Sequence, residues 1–270
     1  MSALTLNLNE TPRQRVDLSP LTPDLLKEKS PAEISAIELA SGNRRLRAGE
    51  LFSITGDDPS RLVIKNSCDK LDRVGQAMTS GSITVHGDTG AYLGFAMIDG
   101  AITVHGNVGA YAASGMKNGL LHIRGNVDDF LAAAIPGDRH GMAGGMVIVT
   151  GNAGDRVGDH MRRGAVLIEG NAGDYCASRM LAGIIAVLGK AAGFAGYGMK
   201  RGTLLLNTTP NNFPATFNDC GTHQLNYLLL LIKSWQSLDS KFALLEPRSR
   251  VRRYMGDLAN AGKGEILVWQ

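Results

Sequence analysis

A glycine that recurs every 19 residues through the middle of the chain constrains the fold more than any other feature. The copies open at Gly81, Gly100, Gly119, Gly145, Gly164, Gly183 and Gly202. The third copy has 26 residues, seven more than the others. A repeat this short cannot bury a core by itself and must stack on its neighbours, which predicts a solenoid.

Alternate residues after each opening glycine are apolar, which is typical of a strand with one face directed inward. These pairs are Ile83/Val85, Ile102/Val104, Leu121/Ile123, Val147/Val149, Val166/Ile168, Ile185/Val187 and Leu204/Leu206. A second glycine follows in most copies and precedes Asn or Asp. We interpret it as a tight corner, because both residue types tolerate positive φ. A degenerate earlier copy is predicted near Leu62.

Two further columns recur at fixed positions, one aromatic and one of methionine. The aromatic column, on a predicted second short strand, comprises Tyr92, Tyr111, Phe130, Tyr175 and Phe194, with Arg156 in the remaining copy. A Met precedes the next opening glycine by three residues. Stacked coils lie about 4.8 Å apart, so like residues form ladders. We interpret both columns as core packing.

The predicted fold is all-β, a parallel β-helix of about 19-residue coils with a capping N-terminal segment and a short C-terminal helix. Residues 1–50 form the N-terminal strand and cap region, with Leu4, Leu6 and Leu8 alternating as a strand. Residues 51–207 form the repeats, and 208–270 form a C-terminal loop, helix and tail that pack on the solenoid. The helix is predicted over Gln224–Trp235.

Composition excludes several functional classes. The net charge is only +3 and no Lys/Arg run of the kind found in basic arms occurs, so a nucleic-acid partner is not expected. The longest apolar run, Leu228–Ile232, is too short to span a membrane. The three cysteines lie far apart in the sequence, which favours a reducing cytoplasm over a disulfide framework.

The outward positions of the later strands are unexpectedly apolar. They include Met146, Ile148, Leu167 and Ile184. A sheet face of this kind must be covered, either by the C-terminal helix or by another chain. We assign these residues to a face covered by a partner.

No catalytic motif is present: the chain has no CxxC pair, HExxH, GxSxG or Walker A loop. We therefore expect no catalytic residue on this chain. His86, His105 and His122 fall on one predicted face and could together bind zinc. We favour solvated or interface histidines and predict no metal site, because no carboxylate accompanies them.

Basic residues precede the opening glycine in three copies, and stacking would place them on one ridge. The predicted ridge comprises Lys117, Arg162, Arg163, Lys200 and Arg201, with Arg139 and Arg179 nearby. Such a ridge suits a polyanionic partner or substrate tail, although surface charge that serves only solubility gives the same pattern.

These repeats and the ending Gly-Lys-Gly-Glu-Ile-Leu (262–267) resemble the C subunit of formylmethanofuran dehydrogenase. The resemblance extends over nearly the whole chain and is greatest to the C subunit of the bacterial formyltransferase/hydrolase complex. The repeat alone also resembles the C-terminal β-helix domain of the glutamate synthase large subunit, whose catalytic domains would not fit in this chain and would have to be separate subunits.

The resemblance implies a right-handed β-helix that acts as a non-catalytic scaffold in a one-carbon complex. That complex moves a formyl group between formyl-tetrahydromethanopterin and methanofuran or an analogue, and releases formate. Metals are expected only on partner subunits, and no cofactor is expected to be covalently bound to this chain. The carrier's polyglutamate-type tail would give the basic ridge a purpose.

Three other hypotheses remain open from the sequence. The chain could be the C subunit of an archaeal tungsten or molybdenum formylmethanofuran dehydrogenase. It could instead be a stand-alone β-helix binding module, or a zinc enzyme that uses the surface histidines.

Overall fold

The structure, a computed structural model, describes residues 2–210 and 212–270. Met1 and Asn211, within the predicted N- and C-terminal regions, lie outside the described residues. The described chain is mostly β, which confirms the all-β class. Its strands form a 13-stranded sheet and a 4-stranded sheet.

The repeats supply β8 to β14, and the flanking regions supply the other strands. The N-terminal strands are β1 (Ala3–Leu8), β2 (Val16–Asp17), β3 (Glu38–Ser41), β4 (Arg44–Arg47), β5 (Phe52–Thr55), β6 (Asp58–Ser67) and β7 (Leu71–Asp72). The repeat strands are β8 (Ser82–Gly87), β9 (Ala101–Val104), β10 (Leu120–Ile123), β11 (Ala143–Val149), β12 (Arg163–Ile168), β13 (Ile184–Val187) and β14 (Thr203–Leu206). The C-terminal strands are β15 (Asn218–Gln224), β16 (Arg250–Gly256) and β17 (Gly264–Trp269).

The helices are short and lie outside the repeats. They are α1 (Pro23–Leu26), α2 (Pro31–Ser35), α3 (Ala48–Leu51) and α4 (Tyr227–Trp235), with 3₁₀ turns at Lys241–Leu244 and Leu258–Asn260. None of these helices is long and apolar enough to cross a membrane.

The repeat strands pair in parallel and in the predicted register. Ile102 lies between Ile83 and Leu121, one on each neighbouring strand, and all three side chains are buried. The predicted degenerate copy is also present, since Leu62 of β6 pairs with Ile83. The N-terminal strand β1 extends the sheet parallel to β6, and β17 extends it parallel to β14. Segments from both ends of the chain therefore continue the ladder of the repeats.

The corners after the strands depend on close approach between coils. Gly125 does not have positive φ, but a Cβ there would lie 2.4 Å from the Gly106 carbonyl oxygen of the preceding coil. The positive-φ explanation is therefore wrong for Gly125 and for the corner glycines Gly106, Gly151, Gly170 and Gly189, and it holds for Gly87, whose φ is +120°. The next residues form a ladder in which the Asn126 N–H donates to Asn107 Oδ1 at 2.9 Å, and the Asn152 N–H donates to Asn126 Oδ1 at 2.8 Å.

Single-residue parallel bridges, such as Val108 to Val127, stand where a second short strand was predicted. The aromatic column follows these bridges in a turn. Its rings are aligned, with Tyr111 and Phe130 stacked 4.7 Å apart. However, the rings are half-buried or exposed, and Tyr111 has φ of +61°. Core packing is thus wrong for the aromatic column, because the turn lies outside the inward strand positions. It is correct for the methionine column, whose members from Met97 to Met199 are all buried in the core.

The chain covers part of its own apolar outer face. Ile148 and Leu167 are buried in a second core cluster with Leu228, Ile232 and Trp235 of the C-terminal region. The predicted partner cover is therefore wrong for Ile148 and Leu167. The reason is that α4 directs an apolar face onto the sheet. Two other residues of this predicted face, Met146 and Ile184, are half-buried.

Candidate functional site

Four cations of the predicted basic ridge line one open depression beside the strand starts. Arg162 and Arg163 lie on one coil, and Lys200 and Arg201 lie two coils further along. The coil between them contributes Leu181 and Ala182. The depression has a volume of about 820 Å³. Apolar residues of the middle coil thus lie between cations of the two flanking coils, which suits an extended chain bearing several negative charges.

A fifth cation, Lys263, completes the depression and was not identified from the sequence. It lies next to Lys200 because its backbone N–H donates to the Lys200 carbonyl at 2.7 Å, immediately before β17 joins the sheet. The signal was present in the C-terminal Gly-Lys-Gly, but only the pairing of β17 with β14 brings it to the ridge.

The cations of the depression are largely without acidic partners. Within residues 2–210 and 212–270, no ion pair involves Arg162, Arg163, Arg201 or Lys263. Lys200 Nζ donates to the backbone carbonyl of Asn260 at 2.5 Å. An uncompensated group of like charges favours the binding of an anion, and arginine adds forked hydrogen bonds to carboxylates.

The other three predicted ridge residues lie elsewhere. Lys117 occupies the same column but is separated from Arg162 by the coil that carries Ala143. Arg139 is exposed in the seven-residue insertion. Arg179 is paired with Asp159, its Nε lying 2.9 Å from Asp159 Oδ1. None of the three lines the basic depression.

Arg179 belongs to a separate groove of about 460 Å³ beneath the insertion. Asp159 is buried there and also accepts a hydrogen bond from Ser178 Oγ at 2.9 Å. The hydrogen bond to Asp159 raises the pKa of Arg179. Arg179 is therefore already paired with a carboxylate of its own chain.

The three histidines do not form a common metal site. The rings of His86 and His105 stack in parallel with centroids 4.8 Å apart. His122 is buried, its Nε2 has no hydrogen-bond partner among the described residues, and burial lowers its pKa. No group of three or more His, Cys, Asp or Glu residues in the described chain is placed to hold a metal ion.

Comparison with known proteins links this fold to one family. The GXGXG motif family model matches residues 78–226. The C subunit of the tungsten-containing formylmethanofuran dehydrogenase 2 of Methanococcus maripaludis is 38% identical over 95 residues, which is 34% of this chain and 35% of that protein. The C subunit of the formyltransferase/hydrolase complex Fhc of Methylorubrum extorquens is 41% identical over 89 residues, 33% of this chain and 34% of that protein. The chain thus spans about a third of the length of these curated relatives.

A solved structure matches over nearly the full length of both chains. It is the crystal structure of the formyltransferase/hydrolase complex FhcABCD of Methylorubrum extorquens with methylofuran. The match has a TM-score of 0.91 and 40% identity, and covers 98% of this chain and 99% of the chain in that structure.

Proposed function

The chain belongs to the GXGXG motif family, and to the family of C subunits of formylmethanofuran dehydrogenases and formyltransferase/hydrolase complexes, and we propose that it is a non-catalytic scaffold of such a complex. The complex would transfer a formyl group between formyl-tetrahydromethanopterin and methanofuran or an analogue, and release formate. The likeness to a chain of the FhcABCD complex along almost its whole length carries this proposal.

In this proposal the stacked coils form a right-handed parallel β-helix that holds the catalytic subunits in place. The parallel register of β8 to β14 and the parallel bridges from Thr89 to Ala191 support it. Right-handedness follows from the strong preference of crossovers between parallel strands. The proposed compartment is the cytoplasm, which the three unpaired cysteines favour.

The basic depression would contact the anionic tail of a methanofuran-type carrier. Replacing Arg162, Arg163, Lys200 and Arg201 with Glu should remove most of the carrier from the purified complex without unfolding the chain. A matched control reverses charge at Lys117 and Arg139, which are exposed but lie outside the depression. Carrier content is measured by mass spectrometry; unchanged occupancy in the fourfold variant would refute the role of the depression.

Membership of the complex is tested separately by purifying the tagged chain from its own cells. Formyltransferase and hydrolase subunits should co-elute with it at a size well above 28.7 kDa. An archaeal-type dehydrogenase is the second candidate, supported by the relatives of that name, and would be distinguished by tungsten or molybdenum in the eluate. Elution of a monomer alone would contradict both.

A further inference from the structure

The aromatic column consists of two runs of stacked rings, and the N-terminal ring of each run has a guanidinium on its outer face. Arg73 lies 4.9 Å from the centroid of Tyr92, which begins the first run. Arg156 lies 4.6 Å from the centroid of Tyr175, which begins the second. In both runs, therefore, the first ring is covered by an arginine guanidinium that comes from the preceding coil.

The C-terminal end of the second run is open. Phe194 stacks on Tyr175 at 4.8 Å, yet 46% of Phe194 is exposed, and the neighbouring Tyr197 is 53% exposed. A depression of about 400 Å³ lies beside this end, lined by Ala191, Ala192 and Thr209 among others. There is thus both an unused ring face and space for a further segment.

Two backbone amides at the same end also lack the partners that their equivalents have. In the preceding coil, the Ala172 and Tyr175 N–H groups donate to the carbonyls of Lys190 and Gly193. The corresponding N–H groups of Ala191 and Phe194 have no acceptor within residues 2–210 and 212–270. Ala191 is only 5% exposed, so the exposed part of this edge lies at Phe194. An exposed edge with an unpaired amide is a template for strand addition.

The chain begins another coil with β14 but does not complete it. Phe213 follows Gly202 by the same interval as Phe194 follows Gly183. Instead of stacking on Phe194, Phe213 packs against Tyr254 with centroids 4.3 Å apart, and against Phe217 at 5.8 Å. The residue that the repeat would place on Phe194 therefore helps to close the end of the core.

We propose that the open end formed by Phe194 and Tyr197 is a docking site for a short segment of a partner subunit that supplies an arginine guanidinium to the Phe194 ring. The segment would continue the stack by one partial coil. By the geometry of the preceding coil, where the Tyr175 N–H donates to the Gly193 carbonyl, one carbonyl of the segment accepts from the Phe194 amide. The arginine directly follows that carbonyl. This inference rests on the proposed function, because it requires a partner subunit.

The test uses the complex purified from its own cells and compares it with the isolated chain. Amide hydrogen exchange of residues 190–198 should slow at least tenfold in the complex. Benzoylphenylalanine incorporated at position 194 should cross-link to an arginine-containing peptide of a partner subunit. F194A should weaken retention of that subunit about tenfold, whereas F194W, which retains a ring for the cation, and the control L230A should not.

Each alternative result overturns the inference in a recognisable way. A complex that forms without protection of residues 190–198 removes the docking site and leaves the proposed function intact. Cross-links only to residues 208–213 of the same chain, or to a second copy of it, assign the ring face to a different occupant. Absence of any complex overturns both proposals. The exchange comparison uses the native sequence, so the test does not depend on the folding of F194A.

Discussion

The two halves of the outer face of the central sheet are built from the same repeat but meet different surroundings. At the third position of each copy, the N-terminal half has Thr84 and Thr103, both half-buried, whereas the next copies beyond His122 have Ile148 and Leu167, both buried beneath the chain's own C-terminal region. Inward residues are alike in both halves and specify stacking. Outward residues differ and specify what packs against the stack.

The comparison is tested most strongly by truncating one outward residue in each half. Leu167→Ala should lower the free energy of unfolding by about 2–5 kcal/mol, because it leaves a cavity between the sheet and α4. Thr103→Ala, at the same position of the uncovered half, should change it by less than about 0.5 kcal/mol. Urea unfolding followed by circular dichroism measures both. Equal losses would mean that the two halves do not differ in this way.

A second, smaller contrast concerns how the segment after α4 is held on the sheet. Glu169 is buried and accepts hydrogen bonds from Ser240 Oγ and the Lys241 N–H, both at 2.7 Å. Glu169→Gln should cost about 1.5–3 kcal/mol, because glutamine keeps an acceptor oxygen but both hydrogen bonds lose the charge of the acceptor.

The matched control is the exposed ion pair of Arg124 with Asp239, whose N–O distance is 2.6 Å. Asp239→Asn should cost less than about 1 kcal/mol, since exposed pairs contribute little. Limited proteolysis of residues 236–249, together with urea unfolding, would rank the two variants. If Asp239→Asn lost more stability than Glu169→Gln, the ion pair of Asp239 and not the buried Glu169 would be what mainly holds this segment on the sheet.

The smallest expected effect is the pH dependence of stability due to His122, which lies at the boundary between the two halves. Burial lowers the pKa of His122, so the folded chain binds this proton less readily than the unfolded chain. The associated stability is present above the unfolded pKa of about 6.5 and is lost as pH falls through the lower folded value. Arg124, Asp239, Glu169 and His105 are the charged or titratable groups around it.

Replacing His122 with Asn should therefore flatten the decline in stability below pH 6.5. The difference in slope cannot exceed about 1.4 kcal/mol per pH unit, the contribution of one proton. Urea midpoints at several pH values for both proteins measure it. Parallel pH profiles would show that His122 remains uncharged or accessible in both states.

The sequence was sufficient to predict the parallel pairing of the repeat strands, but not all of the turns and C-terminal contacts around them. Fixed spacing identified the inward strand residues, the methionine column and four cations of the depression, because equal coil lengths convert spacing into alignment. It could not indicate that Tyr111 sits in a left-handed turn, since non-glycine residues rarely adopt positive φ.

Long-range pairing accounts for the other misses. Lys263 reaches Lys200 because β17 joins β14 from about sixty residues further along the chain, and no local pattern encodes that contact. The cover over Leu167 was one of two alternatives that the sequence could not separate. An apolar sheet face can be covered by an apolar helix of the same chain or of another chain, and the apolar pattern is the same in both cases.

The single longer coil has a consequence for how faithfully the molecule assembles. Every rung offers nearly the same Val and Ile pattern to its neighbour, so a rung that docked one step out of place would still satisfy the interior. The additional residues lie between Ala132 and Gly144, and the Met142 N–H closes their return by donating to the Ala132 carbonyl at 2.9 Å. The Gly141 N–H then joins the insertion to the next coil by donating to the His160 carbonyl at 3.0 Å. A chain paired out of register would lose the hydrogen bond between Gly141 and His160 and would place the insertion against a different coil. The one longer copy thus makes the native register of the strands more stable than registers shifted by one copy.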